Sequence, residues 1–198
     1  MKESKQLWLL AGGNGAGKST FYREFLEKRG MKFINADIIA KAINPEYPES
    51  VSYDAANLAE KLREQLIQQG TSFCFETVFS HISKIDFIAK AKALGYEVIL
   101  VYIHLESTDL NEARVLQRVS EGGHNVPAVK IRTRIPRTMK HIAKVLPLVD
   151  EARLLDNSSR TDPFKQVVRV KKGRYVKMQK RLPLWAKELL NGLTEISN

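Results

Sequence analysis

The feature that most constrains the fold of this sequence is a glycine-rich octapeptide that matches G-x-x-x-x-G-K-[ST] in full. It consists of Gly12, Gly13, Asn14, Gly15, Ala16, Gly17, Lys18 and Ser19. An apolar run at residues 7–11 precedes it, and a helix-forming run begins at Thr20. Glycines let the backbone bend around a phosphate with its N–H groups pointing inward, and the helix N-terminus adds positive charge. The sequence therefore predicts a strand–loop–helix unit that binds a nucleoside triphosphate.

Two side chains of this loop are predicted to act on the triphosphate directly. Lys18 is expected to reach the terminal phosphates, and the Ser19 hydroxyl is expected to lie on Mg²⁺. Thr20 completes the predicted nucleotide-binding residues. We expect ATP with Mg²⁺; the loop does not encode the base, and the Asn/Thr-Lys-x-Asp motif of guanine-specific GTPases is absent from the sequence.

Apolar strand-like runs alternate with longer helical patterns along the chain. We predict strands at residues 7–11, 32–35, 72–77, 98–105, 153–156 and 166–170. We predict helices at residues 19–29, 54–69, 83–94, 108–119, 128–145 and 184–193. The second helix is expected to bury Ala55, Leu58, Leu62 and Leu66 as one stripe. Because such alternation is typical of a parallel sheet covered on both faces, the predicted fold is a three-layer α/β/α P-loop NTPase.

Two carboxylates follow predicted strands at the sheet edge where α/β proteins form their sites. Asp37 could take the proton from an acceptor hydroxyl, or it could only cap the short helix at 38–43. Glu76 could hold a Mg²⁺-bound water or an acceptor hydroxyl, since a carboxylate after an apolar strand is costly to bury. Asn35 and Thr77 are their candidate neighbours. The strongest strand offers no Walker B aspartate at its end, which favours a small kinase over a motor-type ATPase.

The positive charge of the chain is concentrated in one segment. Of a net +10, residues 128–181 carry sixteen Lys/Arg and four Asp/Glu, so the segment attracts phosphates generally. This basic segment comes after Arg118 and after a loop at 122–127. The first predicted helix of the segment contains Arg132, Arg134 and Arg137. We interpret these arginines as part of a lid that folds over the nucleotide; the alternative is a solvated basic helix face. His124 is interpreted as a structural loop residue, and His81 as an acceptor contact or a surface residue.

Several motifs occur together and in a fixed order. They are the phosphate loop, Asn35-Ala36-Asp37, Phe75-Glu76-Thr77 and Leu154-Leu155-Asp156-Asn157-Ser158. The most specific is Arg118-Val119-x-x-Gly122-Gly123-His124-x-Val126-Pro127, followed by Ile131-x-x-Arg134-x-x-Arg137. Over roughly residues 6–160, the sequence resembles the zeta-toxin family of P-loop kinases, and its Gly-Gly-His lid is similar to that of small chromosomal relatives described only as predicted ATPases.

This resemblance implies an ATP- and Mg²⁺-dependent phosphotransferase of the adenylate/shikimate-kinase type. Members best known as toxins phosphorylate the 3′-hydroxyl of a UDP-activated N-acetyl-hexosamine, and a small antitoxin protein blocks their ATP site. Carried over to this sequence, Lys18 and Ser19 bind ATP and Mg²⁺, Asp37 is the general base, and Glu76 binds the acceptor. Two arginines would clamp phosphates: Arg118 and Arg134. The expected acceptor-binding residues are Asn35, Glu76, Thr77 and Arg137.

We expect one P-loop kinase domain over residues 1–198, with a core at about 6–160 and a helical lid at about 118–146. The remainder, 164–198, is expected to form a basic hairpin around Gly173 and a closing helix packed by Leu184 and Trp185. We interpret the hairpin as a sheet edge kept soluble by lysines; the alternative is nucleic-acid binding in which Tyr175 stacks on a base.

Composition excludes several other classes of protein. The single cysteine, Cys74, excludes an internal disulfide and a zinc site built from four thiolates. No run approaches the ~20 apolar residues of a membrane span, and no secretory signal core is present, so we expect a soluble cytoplasmic protein.

The leading hypothesis for the function is a small-molecule kinase. The alternatives are a nucleic-acid or nucleoside end kinase, and a nucleotide-binding regulator without phosphotransfer.

Overall fold

The structure is a computed structural model that describes residues 4–123 and 125–196. Within these residues, eight strands form one continuous sheet. They are β1 (Gln6–Ala11), β2 (Lys32–Ile34), β3 (Phe73–Thr77), β4 (Glu97–His104), β5 (Glu151–Asp156), β6 (Lys165–Lys171), β7 (Arg174–Lys177) and β8 (Thr194–Glu195). Their order across the sheet is β2-β3-β1-β4-β5-β6-β7-β8. The first five are parallel, β6 is antiparallel to both of its neighbours, and β8 is parallel to β7. The predicted mainly parallel sheet is confirmed.

Helices connect the parallel strands and cover the sheet. They are α1 (Lys18–Phe21), α2 (Ala36–Ile43), α3 (Ser52–Gln68), α4 (Ser83–Ala93), α5 (Thr108–Ser120), α6 (Ala128–Val145) and α7 (Leu184–Leu189). A π-helical segment at Tyr22–Leu26 and a 3-10 turn at Glu27–Arg29 extend α1, and a second 3-10 turn, Pro48–Val51, precedes α3. The single regular helix predicted at 19–29 is therefore divided into three helical types.

The two faces of the sheet have separate hydrophobic cores, because side chains alternate along each strand. On one face, Leu9 and Phe75 pack with apolar residues of α3, α4, α6 and α7. On the other face, Leu10 and Cys74 pack with Phe21 of α1. Parallel strands buried on both faces give the three-layer P-loop NTPase architecture that the sequence predicted.

The N-cap of α2 is Asn35 and not Asp37, for which a capping role was one of the two predictions. Asn35 caps this helix, since its Oδ1 accepts hydrogen bonds from the backbone N–H groups of Asp37 at 2.7 Å and Ile38 at 3.2 Å. Asp37 lies in the first turn of α2. Its side chain is thus not required as the cap, which Asn35 provides from the end of β2.

The buried face of α3 also differs from the predicted stripe. Leu58 is 40% exposed, whereas Arg63 is only 6% exposed. The guanidinium carbon of Arg63 lies 5.1 Å from the ring centre of Phe75 and 5.7 Å from that of Phe87. A planar cation thus lies on the buried face of α3, outside the predicted stripe, because its stem and its flat head can cover aromatic rings.

The C-terminal segment continues the sheet. Strands β6 and β7 form the predicted hairpin around Gly173, but β7 is not the edge of the sheet, because β8 pairs with its outer side. The Tyr175 hydroxyl donates to Glu195 at 3.2 Å, and Lys177 pairs with the same carboxylate at 2.8 Å. In α7, Trp185 is buried as predicted, whereas Leu184 is 72% exposed.

Among the described helices, none is both long and apolar enough to cross a membrane.

A buried histidine at the end of β4 makes the stability of this fold depend on pH. His104 is hydrogen-bonded through Nδ1 to the Tyr102 hydroxyl at 2.9 Å and lies against Trp185. Burial lowers the pKa of its imidazole from 6.5 to about 4, although the charge of Asp156 opposes this shift. The unfolded chain therefore binds a proton between these pH values that the folded chain does not bind.

We expect the free energy of unfolding to fall as the pH is lowered from about 6.5 to about 4, by about 3 kcal/mol from His104 alone. Urea unfolding at several pH values measures this change. The variant His104→Gln should lose that part of the acid dependence, while His81→Gln, at an exposed position, should retain it. An equal acid dependence in wild type and His104→Gln would contradict the assignment.

Candidate active site

The glycine-rich loop joins β1 to α1 and fits closely against the rest of the protein. Gly12 has φ 152°, and a Cβ atom there would lie 2.3 Å from the carbonyl oxygen of Ile103. Gly17 has φ 97°, and a Cβ atom there would lie 2.5 Å from Nδ2 of Asn157. Both positions therefore require glycine for their backbone conformation and for the space around them.

Lys18 and Ser19 converge on Glu76 from the loop. The side chain of Lys18 is 5% exposed, and its Nζ donates to the carbonyl oxygens of Gly12 at 3.0 Å and Gly13 at 2.9 Å. The same ammonium lies 3.6 Å from Oε1 of Glu76. Ser19 Oγ donates to Oε2 of Glu76 at 2.5 Å. The loop's cation and hydroxyl thus share one carboxylate.

Glu76 reaches this position because β3 lies beside β1 in the sheet. The parallel register pairs Leu10 with Glu76, so the carboxylate leaves its strand next to the loop that follows β1. Asn35, at the end of β2, donates from Nδ2 to Oε2 of Glu76 at 2.8 Å. Asn35 therefore links the Glu76 carboxylate to the first turn of α2, whose N-terminus it caps.

Asp37 lines the same cleft and is in contact with a predicted lid arginine. Its Oδ2 is 3.9 Å from Nη1 of Arg118, and the two side chains are 49% and 37% exposed. Arg118 extends from the last turn of α5. The loop after α5 also approaches the turn before α3, where the N–H of Asn125 donates to Glu49 at 3.3 Å. His124 of this loop lies outside the described residues.

The cleft has a volume of about 1270 Å³ and brings most of the predicted site residues together. The predicted residues that line it are Asn14, Gly15, Gly17, Lys18, Ser19, Thr20, Asn35, Asp37, Glu76, Thr77, His81, Arg118 and Arg134. Gly12, Gly13 and Ala16 are not among the lining residues, but the carbonyl oxygens of Gly12 and Gly13 accept hydrogen bonds from Lys18. Arg137 is not among the lining residues, because its Nε donates to the Thr133 carbonyl one turn earlier in α6.

Two asparagines that sequence reasoning did not assign hold the loop in place. Asn111 of α5 donates to the carbonyl oxygen of Asn14 at 2.7 Å. Asn157, just after β5, donates to the carbonyl oxygen of Ala16 at 2.9 Å and is 6% exposed. Asn157 falls in the last of the motifs that carried the family resemblance, whereas nothing in the sequence pattern pointed to Asn111.

The wall of the cleft beyond the loop is rich in basic side chains. Arg114 donates to the carbonyl oxygen of Asn157 at 2.8 Å, and Arg160 and Phe164 lie near it. Burial and the charge of Arg160 lower the pKa of the Arg114 guanidinium. Such grouped cations are suited to anionic ligands, and a guanidinium can also stack on an aromatic base.

Within the described residues, no group of three or more His, Cys, Asp or Glu side chains is placed to hold a metal ion. Ser19 and Glu76 nevertheless offer two oxygen donors within the phosphate-loop cluster. Mg²⁺ is commonly bound by one or two protein oxygens together with substrate phosphates and water. The donors present fit that pattern.

Comparison with known proteins identifies the family. The model of the zeta toxin family matches residues 1–176. This chain belongs to the zeta toxin family. An uncharacterised protein of Haemophilus influenzae is 36% identical over 127 residues, which cover 61% of this chain and 90% of that protein. The parallel strand order and the glycine-rich loop that joins β1 to α1 agree with the P-loop NTPase fold.

Solved structures of low sequence identity share the fold. The AvrRxo1-ORF1:AvrRxo1-ORF2 complex with sulphate ions gives a TM-score of 0.74 at 19% identity, covering 96% of this chain and 65% of that one. The PezAT chromosomal toxin–antitoxin system of Streptococcus pneumoniae gives 0.67 at 17% identity, covering 98% and 79%. This zeta toxin family chain thus spans 65% of the length of the first of these neighbours.

Proposed function

We propose that this protein transfers the γ-phosphoryl group of ATP to a hydroxyl group of a small molecule. The observation that carries the proposal is the cluster in which Lys18 and Ser19 meet Glu76, in the same cleft as the Asp37–Arg118 pair. Phosphoryl transfer depends mainly on positioning and on electrostatic stabilisation, so a few well-placed groups are sufficient. A structure of the AvrRxo1-ORF1:-ORF2 complex with ATP, which shares this fold, is consistent with ATP as the donor.

In the proposed reaction, Asp37 accepts the proton of the acceptor hydroxyl. The hydroxyl oxygen forms a bond to the γ-phosphorus, the bond from that phosphorus to the β–γ bridging oxygen breaks, and ADP leaves. Lys18, Arg118 and Arg134 stabilise the negative charge on the transferring group. Mg²⁺, when bound, would neutralise charge on the β- and γ-phosphates; Ser19 would contact it directly, and Glu76 would hold it through a bound water.

The contacts of Glu76 favour one of the two roles considered for it. Its Oε2 accepts from Ser19, the residue that binds Mg²⁺ in phosphate loops of this kind. A carboxylate in this position would orient a Mg²⁺-bound water rather than the acceptor. The acceptor would then lie further along the cleft, toward α3 and α4, where Thr77 and His81 line the wall.

The acceptor and the protein partner are inferred from the family. A UDP-activated N-acetyl-hexosamine is the acceptor that the resemblance to zeta toxins suggests, and the cleft of about 1270 Å³ has room for two ligands of nucleotide size. Because PezAT is described as a toxin–antitoxin system, we also propose an antitoxin protein as a partner of this chain.

The experiment that tests the function is incubation of the purified protein with [γ-³²P]ATP, Mg²⁺ and a metabolite extract supplemented with UDP-sugars. We expect label to appear in a small molecule with wild-type protein and not with Lys18→Ala. Label on the 5′ end of an added oligonucleotide would instead support an end kinase. ATP binding without any labelled acceptor would support a nucleotide-binding regulator and contradict the proposal.

A further inference from the structure

The turn that follows β3 contains a residue in a strained backbone conformation. Phe79 has φ 62°, in the left-handed region that bulky side chains rarely adopt, and the residue is fully buried. Glu76 and Thr77 line the cleft just before this residue, and His81 lines it just after. Such strain persists only where the surrounding structure holds it, and it is concentrated at functional sites.

Side-chain hydrogen bonds hold this turn at three points. The N–H of Phe79 donates to Oγ1 of Thr77 at 3.0 Å. The buried Thr138 of α6 donates from Oγ1 to the carbonyl oxygen of Val78 at 2.7 Å. The carbonyl oxygen of Phe79 can only accept, so Nδ1 of His141, 3.1 Å away, is its donor. Two side chains of α6 thus fix the backbone of the turn.

These two side chains share a helix face with a predicted phosphate clamp. Arg134, Thr138 and His141 recur at i, i+4 and i+7 along α6, a spacing that places them on one face of the helix. Arg134 lines the cleft. The cleft wall at residues 76–81 is therefore tied to the helix that carries Arg134.

We infer that Thr138 and His141 are positioning residues that set the geometry of Glu76 and Thr77 relative to Arg134. The inference rests on the proposed function, because it gives these residues a part in phosphotransfer. Without the bond from Thr138, the turn would lose a contact that keeps it in its strained conformation, and the residues on either side would shift. A displacement of about 1 Å in a reacting group can lower a rate by about 10²-fold.

The variant Thr138→Val tests the inference, because valine has nearly the shape of threonine but no hydroxyl. Its transfer of label from [γ-³²P]ATP to small molecules of the supplemented extract should fall at least about ten-fold, with unchanged affinity for a non-hydrolysable ATP analogue. Thr138→Ser keeps the hydroxyl and should restore most of the rate. Thr133→Val is the matched control, because Thr133 lies on the same helix and donates only within it, to the Val129 carbonyl at 2.8 Å.

Hydrogen exchange of the Phe79 amide measures the state of the turn without requiring activity. It should be at least about ten-fold faster in Thr138→Val than in the wild type, because local opening sets the exchange rate, and unchanged in Thr133→Val. His141→Phe keeps an aromatic ring but removes the donor, so it should lower transfer and speed exchange as well. His141 is only partly buried, so this variant remains informative if Thr138→Val does not fold.

Wild-type transfer by Thr138→Val would overturn the inference. Equal losses in Thr138→Val and Thr138→Ser would also overturn it, because they would indicate a packing role rather than a hydrogen-bonding one. Unchanged exchange at Phe79 in Thr138→Val would overturn it whatever the activity. Absence of any labelled product with the wild type would instead contradict the proposed function, and the exchange rates would still test how α6 fixes the turn.

Discussion

Replacing Asp37 by Asn is expected to lower phosphotransfer by about 10²-fold or more, while ATP affinity stays close to that of the wild type. Asparagine keeps the shape of the side chain but cannot accept the proton of the acceptor hydroxyl. Asp37 lies in the first turn of α2, which Asn35 caps, and its side chain is 49% exposed, so we expect the variant to fold. Single-turnover transfer of labelled phosphate and calorimetric titration of the nucleotide measure the two quantities separately.

The matched control for this variant is Asp86→Asn, because Asp86 occupies the first turn of α4 as Asp37 does that of α2. Asp86 is exposed and does not line the cleft, so its variant should transfer phosphate at the wild-type rate. Near-normal transfer by Asp37→Asn would remove this residue as the base. Equal losses in transfer and in nucleotide affinity would show that it supports binding instead.

Replacing Glu76 by Gln is expected to lower phosphotransfer by about 10²-fold or more and to raise the Mg²⁺ concentration needed for half-maximal activity. The amide carries no charge, so the buried ammonium of Lys18 loses the carboxylate that lies 3.6 Å away. The oxygen that accepts from Ser19 at 2.5 Å also becomes a weaker partner for a metal-bound water. Steady-state rates measured across Mg²⁺ and acceptor concentrations report both effects.

This variant also separates the two roles considered for Glu76. A higher Mg²⁺ requirement with an unchanged KM for the acceptor would support the role in which Glu76 orients a Mg²⁺-bound water. A higher KM for the acceptor with an unchanged Mg²⁺ requirement would contradict it and assign Glu76 to the acceptor. Glu64→Gln is the control, because Glu64 pairs with Lys90 on the outer surface and should leave both quantities unchanged.

Local sequence rules predicted the parts of the site that a few consecutive residues specify. A strand, a glycine-rich turn and a helix start follow one another within residues 6–21, so the pattern alone indicated the position of Lys18 and Ser19. Asp37 and Glu76 were found because each follows a strand, and parallel strands bring their carboxyl ends to one edge. Arg137 was predicted for the site as one of the arginines that follow the loop at 122–127, but it does not line the cleft, and its Nε donates to the Thr133 carbonyl.

The sequence by itself determined the phosphate loop, the alternation of strands and helices, and the family. Only the tertiary structure decided that Asn111 and Asn157 brace the loop from 97 and 141 residues away, and that Arg63 lies buried in the cleft wall over the rings of Phe75 and Phe87. The physical reason is the separation in sequence between the interacting residues, because helix and turn preferences act only between near neighbours in the chain. Hydrogen-bond satisfaction and burial of charge, in contrast, are settled only when distant segments pack together.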